Sequence, residues 1–504
     1  MSQFPTLLQI NTSAWLSERG DDLKRPATLD DVSDSALDAI AQGGFDWVWL
    51  LGVWQTGEAG RQISLNQPEW RKEYHELLGD VRDEDVSGSP FAVQQYVVNR
   101  RYGGPAALER MRKRLSDRGL RLMLDFVPNH TAIDHPWVSE HPEYYIHGSE
   151  QDLTREPQNY LRIGAQIFAH GRDPYFPGWP DTVQLNYRHR GEREAMLGVL
   201  RSIAGQCDGV RCDMAMLVLP DVIARTWGER SRPFDGSQPE DESFWPWAIS
   251  RVREQRPGFV FMAEAYWDLE YTLQQQGFDY TYDKRLYDRL RSRDAGAVLG
   301  HLHADADYQR HSVRFLENHD EPRAAAVFEP STEEAAAVIA LLSPGLRFVH
   351  EGQTIGRRLR TSNHLRRRAV EPVDQELKGF YARLLSCMKR EEVRDGHWRL
   401  LDARAAWDGN GSCDRFIAYT WEKDGKRTLV AVNYSSDPAQ CYLPLPYSDL
   451  VGRAVELHDC MNPTITYCRN GDELTGKGLY LDVPPWRHHV FTVEGRSPIP
   501  AHPH

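Results

Sequence analysis

A (β/α)8 barrel with a short inserted subdomain after strand three and a C-terminal antiparallel β-sandwich is the architecture this sequence predicts. Three observations carry it. Eight short apolar runs are separated mostly by stretches of helical periodicity. Acidic and polar residues gather where those runs end, and alternating, hairpin-rich segments take over after about Leu400. Apolar runs alternating with helical patterns read as parallel strands joined by crossover helices. An open doubly wound sheet is the alternative, but no GxGxxG follows the first run.

The first strand is Thr6 to Asn11. Ser33 or Ser35 then caps a helix with Leu37, Ile40 and Ala41 on one face, stopped at Gly43-Gly44. Phe45 to Trp54 is a nearly continuous apolar strand, the kind buried on both faces. Gln55 to about Pro90 is long and polar and is expected to be a loop excursion. Leu108, Met111 and Leu115 place a helix over Pro105 to Arg118, closed by Gly119. Strand three is Leu122 to Val127. An irregular stretch rich in Pro, Tyr and His follows, and then a helix at Arg193 to Ala204. Strands four to eight fall at Val210, Phe259–Glu264, Phe278–Tyr282, Ser312–Leu316 and Leu346–His350. Asp424-Gly425 between two alternating segments marks a hairpin in the last part of the chain. The expected division is a barrel at 1–130 and 188–395, the insert at 131–187, the sandwich at 396–496 and a disordered tail at 497–504.

At 504 residues the chain is long enough for two or three domains. A net charge of −13 argues against nucleic-acid partners. The run Arg366-Arg367-Arg368 reads as a solvated helix face. No run approaches the roughly 18 apolar residues a membrane span needs, and the first residues lack a secretory signal. Seven scattered cysteines without a CxxC pair indicate neither a disulfide framework nor a zinc knuckle, so a cytoplasmic location is expected.

The strand ends bring Asp125 with Asn129-His130, Arg211 with Asp213, then Glu264, then Asn318-His319-Asp320 to one rim. Arg211 and Asp213, two residues apart on a strand, share a face, and the guanidinium is expected to keep Asp213 ionised. Taken alone, such a pair reads as a structural ion pair. Glu264 follows Phe261-Met262-Ala263, an apolar approach expected to hold a proton on it. One ionised and one protonated carboxyl, with a third acid nearby, is the inventory that glycoside cleavage needs.

Four motifs occur in order: Asp125-Phe-Val-Pro-Asn129-His130, Gly209-Val-Arg211-Cys-Asp213, Met262-Ala-Glu264-Ala and Phe315-Leu-Glu-Asn318-His319-Asp320. With them the chain resembles the α-amylase family of glycoside hydrolases and transglycosidases, glycoside hydrolase family 13. The resemblance implies Asp213 as nucleophile, Glu264 as general acid/base and Asp320 as transition-state stabiliser. It implies sugar contacts from His130 and His319, Arg211 holding Asp213, and Asp125 supporting the rim. Phe91 aligns with an aromatic that stacks under the cleaved sugar, its other reading being a core Phe. Arg323 sits where relatives bind the next sugar, its other reading being a solvated loop Arg. Arg172 to Phe176 either shape the cleft or pack the insert.

Met216 and Leu217 stand where many starch-degrading relatives carry a Lys-His pair, which argues against a long-chain amylase and for short substrates. Asn129 is the one calcium ligand the resemblance offers; no cofactor and no metal ligand set is predicted. The expected function is a retaining α-glycosidase acting on short α-glucosides or maltodextrins. The alternative is a transglycosidase or phosphorylase of the same family. A binding-only relative would lack part of the acidic trio, and all three acids are present.

Overall fold

The computed structural model describes residues 2–498. Eight strands form a closed barrel: β1 (Thr6–Asn11), β2 (Trp47–Leu51), β3 (Arg121–Phe126), β4 (Gly209–Cys212), β5 (Val260–Ala263), β6 (Tyr280–Tyr282), β7 (Ser312–Arg314) and β8 (Leu346–His350). Each pairs in parallel with its sequence neighbour, and β1 closes the ring on β8. The apolar runs split by side-chain alternation. Trp47, Trp49, Leu51, Met123, Met262, Phe315 and Phe348 fill the lumen. Val48, Leu50, Leu122, Leu124, Val210 and Phe261 face the surrounding helices.

Helix α1 (Thr12–Leu23) has no counterpart in the sequence prediction, whereas α2 (Asp34–Gln42) starts as expected, with the Ser33 hydroxyl accepting from the Ala36 N–H. The excursion after β2 is not a loop. It holds α3 (Glu58–Asn66) and α4 (Pro68–Leu77), whose Tyr74 packs with Leu78, Val86 and Leu365. The arginine run is not a solvated helix face either. Arg367 pairs with Asp80 and Asp85, and Arg368 lies 2.7 Å from both Glu18 and Glu351. This clasp ties the segment after β8 to the one after β2. Except for Glu351, its partners lie hundreds of residues away in sequence, so local pattern could not reveal it. Helix α5 (Gly104–Ser116) closes the second crossover, from β2 to β3.

The insert is built on two small antiparallel pairings, His130–Ala132 with Thr182–Gln184 and Tyr160–Ile163 with Gln166–Ala169. Helix α6 (Arg190–Gln206) then leads back to β4, and α7 (Pro330–Leu341) and α8 (Gln375–Met388) close the barrel wall. The C-terminal strands are β9 (His397–Leu400), β10 (Arg404–Ala405), β11 (Phe416–Lys423), β12 (Lys426–Asn433), β13 (Ala439–Leu443), β14 (Arg453–Asp459), β15 (Thr466–Asn470), β16 (Leu479–Val483) and β17 (His488–Pro498). They form a six-stranded sheet in the order β9-β11-β12-β17-β14-β15 and a three-stranded sheet in the order β10-β13-β16. Asp424 and Gly425, both at positive φ, make the tight turn between β11 and β12. Of the expected tail, residues 497 and 498 extend β17 and 499–504 lie outside the described residues.

One face of the large sheet packs on the small one through Leu429, Ala431, Leu443 and Leu481. Its other face, with Tyr419, Trp421 and Val432, packs on α7 and α8. Trp421 is fully buried and donates to Leu342 O at 2.8 Å. A buried Trp removes about 200 Å² of surface, ~5 kcal/mol at ~25 cal/mol per Å² as an upper bound. An exposed ion pair contributes about 0–1 kcal/mol. Aromatic burial therefore governs how the β domain seats on the barrel.

Candidate active site

The register of the barrel builds the site in layers. Arg211 sits level with Asp125 on one side and Met262 on the other. Two residues further on, alternation sends Asp213 and Glu264 into the same mouth. Their backbones are pinned there: Asp213 N–H donates to Phe126 O at 2.8 Å and Glu264 N–H to Cys212 O at 3.0 Å.

One guanidinium serves both carboxyls. Arg211 Nη1 donates to Asp213 Oδ1 at 2.6 Å, and Nη2 lies 2.7 Å from Glu264 Oε2 as an ion-pair contact whose angle is off a hydrogen bond's. Trp49, Phe91 and Tyr282 surround it, with ring centroids 5.3, 5.2 and 5.9 Å from its central carbon. The Asp213 and Glu264 side chains are only 8% and 3% exposed.

The surroundings of both carboxyls bear on the charges expected of them. Burial pushes the Asp213 carboxyl above its ordinary value, Arg211 pulls it down and Glu264 pushes it up. The surroundings of Glu264 are not apolar. Besides Arg211, the Met214 N–H donates to its Oε2 at 2.7 Å and the Tyr266 hydroxyl to its Oε1 at 2.9 Å. Met214 reaches this position in the left-handed region, φ 40° and ψ 47°. That conformation costs a non-glycine residue about 1 kcal/mol or more.

Asp320 stands at the opening, 43% exposed, its Oδ2 3.1 Å from His319 Nε2. His319 is buried, with Nδ1 2.8 Å from the Gln9 amide and its ring 5.4 Å from Phe91. Burial holds its pKa well below the ordinary histidine value. His130 is likewise buried and lowered to about 4, beside Trp179 and the Phe91 backbone. Asp125 lies beneath them as a buttress, accepting from Trp49 Nε1 at 3.1 Å and Gly52 N at 2.8 Å, and burial raises it to about 6.

The fold thus gathers Asp213, Glu264, Asp320, Arg211, His319, His130 and Phe91, with Asp125 below. It does not offer Arg323 to the mouth as predicted. That side chain is buried, neither solvated nor free, and donates to Glu317 at 2.7 Å and to Glu351 O at 2.8 Å. Phe91 is both things at once, a partly buried ring packed on the core and the neighbour of Arg211 and His319. In the insert, Asp173 accepts from the Tyr175 and Phe176 N–H groups, turning both rings outward.

Sequence reasoning missed Tyr266, Tyr282, Gln9 and the Met214 N–H. Tyr266 was the most accessible of these, since it lies two residues beyond Glu264.

The residues around Asn129 do not suit a calcium ion. The Gln184 side-chain amide donates to Asn129 O, Asn129 Oδ1 and Leu185 O at 2.9, 3.0 and 3.0 Å. Oxygens that a hard cation would gather face a neutral N–H donor instead. Met216 and Leu217 are buried and present no polar atom to a ligand.

Residues 91–399 match the family model described as the α-amylase catalytic domain. The α-amylase MalA of Haloarcula japonica is 23% identical over 433 residues, covering 82% of this chain and 54% of the relative. The α-1,4-glucan:maltose-1-phosphate maltosyltransferase of Salinibacter ruber is 26% identical over 291 residues, covering 54% of this chain and 36% of the relative. The chain thus spans about half the length, or less, of these curated relatives. Among solved structures, a noncanonic maltogenic α-amylase, AmyB of Thermotoga neapolitana, superposes with a TM-score of 0.67 at 19% identity. That match covers 97% of this chain and 98% of the other.

Proposed function

The chain belongs to the α-amylase family, and on that premise we propose that it is a retaining α-glycosidase cleaving short α-glucosides or maltodextrins. Asp213 attacks the anomeric carbon, and Glu264 gives its proton to the departing oxygen. Glu264 then takes a proton from the incoming water or sugar hydroxyl. Asp320, His319 and His130 bind hydroxyls of the sugar being cleaved, and Phe91 lies under its ring.

The observation that carries this reading is Arg211 reaching both carboxyls at 2.6 and 2.7 Å. One guanidinium holds both carboxyls at the same mouth, as a nucleophile and its acid/base partner require. Carboxyls bridged by one side chain also fit the about 5–5.5 Å spacing of retaining enzymes better than the wider inverting one.

Transfer to a sugar acceptor is the second reading. It is favoured by the near-complete burial of Asp213 and Glu264, which disfavours water at the intermediate, and by the maltosyltransferase among the relatives. Seven cysteines, none bridged among the described residues, support a reducing, cytoplasmic setting. No helix among the described residues is long and apolar enough to cross a membrane.

The test is product chromatography on α-linked glucosides, sucrose, trehalose and maltodextrins, with and without an added sugar acceptor or phosphate. Free glucose or maltose in the α form is expected. Transfer products that displace hydrolysis on adding acceptor would establish the second reading. Initial β-anomer would contradict both.

A further inference from the structure

A cavity of about 470 Å³ opens beside the ends of β1 and β2, within the size range of small-molecule sites. None of Asp213, Glu264 and Asp320 lines it. Pro90 does, and the next residue, Phe91, packs against Arg211 and His319 at the catalytic mouth.

Its charge is unusual for a chain of net charge −13. Arg61, Arg101 and Arg366 line it against one carboxylate, Glu58, an excess of two positive charges. Arg61 is fully engaged, by Glu58 Oε1, Val86 O and Asp83 O, each at 2.9 Å. Arg366 is fixed by a single bond from Nη1 to Glu84 O at 2.8 Å, which leaves the rest of its fork unused. Arg101 is exposed and makes no ion pair among the described residues. Burial, then Arg101 and Arg61, pull Arg366 below its ordinary value, so the three guanidiniums feel one another. Like charges brought together cost free energy, and Glu58 is the one carboxylate among the residues lining the cavity. Beside them, Asn363 Oδ1 is buried without a hydrogen-bond donor.

We propose that this cavity binds a phosphate dianion between Arg101 and Arg366, carried by a sugar phosphate or free as inorganic phosphate. A phosphate carries about −1.5 to −2 charges at neutral pH, matching the excess, and guanidinium forks suit its oxygens. The orphaned Asn363 oxygen accepts a hydroxyl, which a sugar ester supplies. This site stands apart from the catalytic reading and does not depend on it.

Calorimetric titration of the full chain with inorganic phosphate and, separately, glucose 6-phosphate tests the proposal. One ligand per chain is expected, with affinity falling as salt rises. Arg101→Gln and Arg366→Gln should each weaken binding about tenfold or more. Arg101→Gln, at an exposed position, should keep the melting temperature and the turnover of neutral glucosides. Asp213→Asn should bind phosphate as the parent does, separating this site from the catalytic one. Glucose 6-phosphate at least tenfold tighter than phosphate, with the difference lost in Asn363→Ala, identifies an ester; equal affinities identify the free ion. No binding of either at millimolar concentration overturns the proposal, as does binding that both arginine variants leave unchanged.

Discussion

Arg211 and Arg347 are both fully buried guanidiniums on barrel strands, but they face opposite ways. Arg211 points into the lumen and meets two carboxyls. Arg347, on the outer side of β8, donates to Phe4 O at 3.1 Å and Val393 O at 2.7 Å and lies over the rings of Phe4 and Trp421. Without a carboxylate partner, burial lowers it to about 9. The inward cation organises charge that chemistry can use. The outward one is cemented by carbonyls and aromatic faces where the β domain seats on the barrel. Direction along one strand period, rather than residue type, separates a catalytic from a structural arginine.

The contrast breaks first by mutation. Arg211→Met strands two buried carboxyls, so turnover should fall at least about a thousandfold and stability by about 3–5 kcal/mol. Arg347→Met strands only carbonyls, so stability should fall by about 1–3 kcal/mol with kcat near the parent's. Denaturant melts and steady-state kinetics of both check this. Equal losses of turnover in the two variants would erase the distinction.

A second prediction concerns the other polar arrangement at the mouth. With Gln184 filling the place beside Asn129, chelation by EDTA should change neither the melting temperature nor activity. Gln184→Glu should create calcium-dependent stabilisation, read as a melting-temperature rise on adding the ion. A loss of stability in the parent on chelation would contradict the assignment.

The smallest effect lies on the interface side. Glu333 on α7 is buried, accepts from Tyr381 at 3.0 Å, and burial raises it to about 8. A carboxyl raised in the fold binds its proton more tightly there than in the unfolded chain. Stability is therefore present at low pH and lost as pH climbs from the ordinary carboxyl range through about 8. Glu333→Gln should flatten that decline, melting about 2–4 °C higher than the parent at pH 8.5 and alike at pH 5. An unchanged slope would remove Glu333 as its source.

How much of this the sequence disclosed follows the same line. The motifs around Asp213, Glu264 and Asp320 were legible because each closes a strand, and strand ends converge by topology. The eight strands were legible as apolar runs. Arg347 was not, because strands buried on both faces carry no polar alternation to mark inward from outward. The α3–α4 pair was missed because its surface is polar and its partners, Arg360 against Glu73 and Leu365 against Tyr74, arrive from the far end of the barrel. Arg323 was misplaced for a similar reason: a position in a motif does not tell which carboxylate will claim the side chain, and Glu317 does. The upward push of burial on Asp213 depends on how deeply the mouth is buried, which no local residue pattern records.

The most direct test is to trap the intermediate. Incubation with 5-fluoro-α-glucosyl fluoride, followed by peptide mass spectrometry, should leave one fluoroglucosyl group on Asp213 in the peptide spanning 209–216. Asp213→Asn should take up none. A label on another carboxylate, or turnover to the inverted sugar with no label at all, would contradict Asp213 as the attacking group and the paired-carboxyl centre built around Arg211.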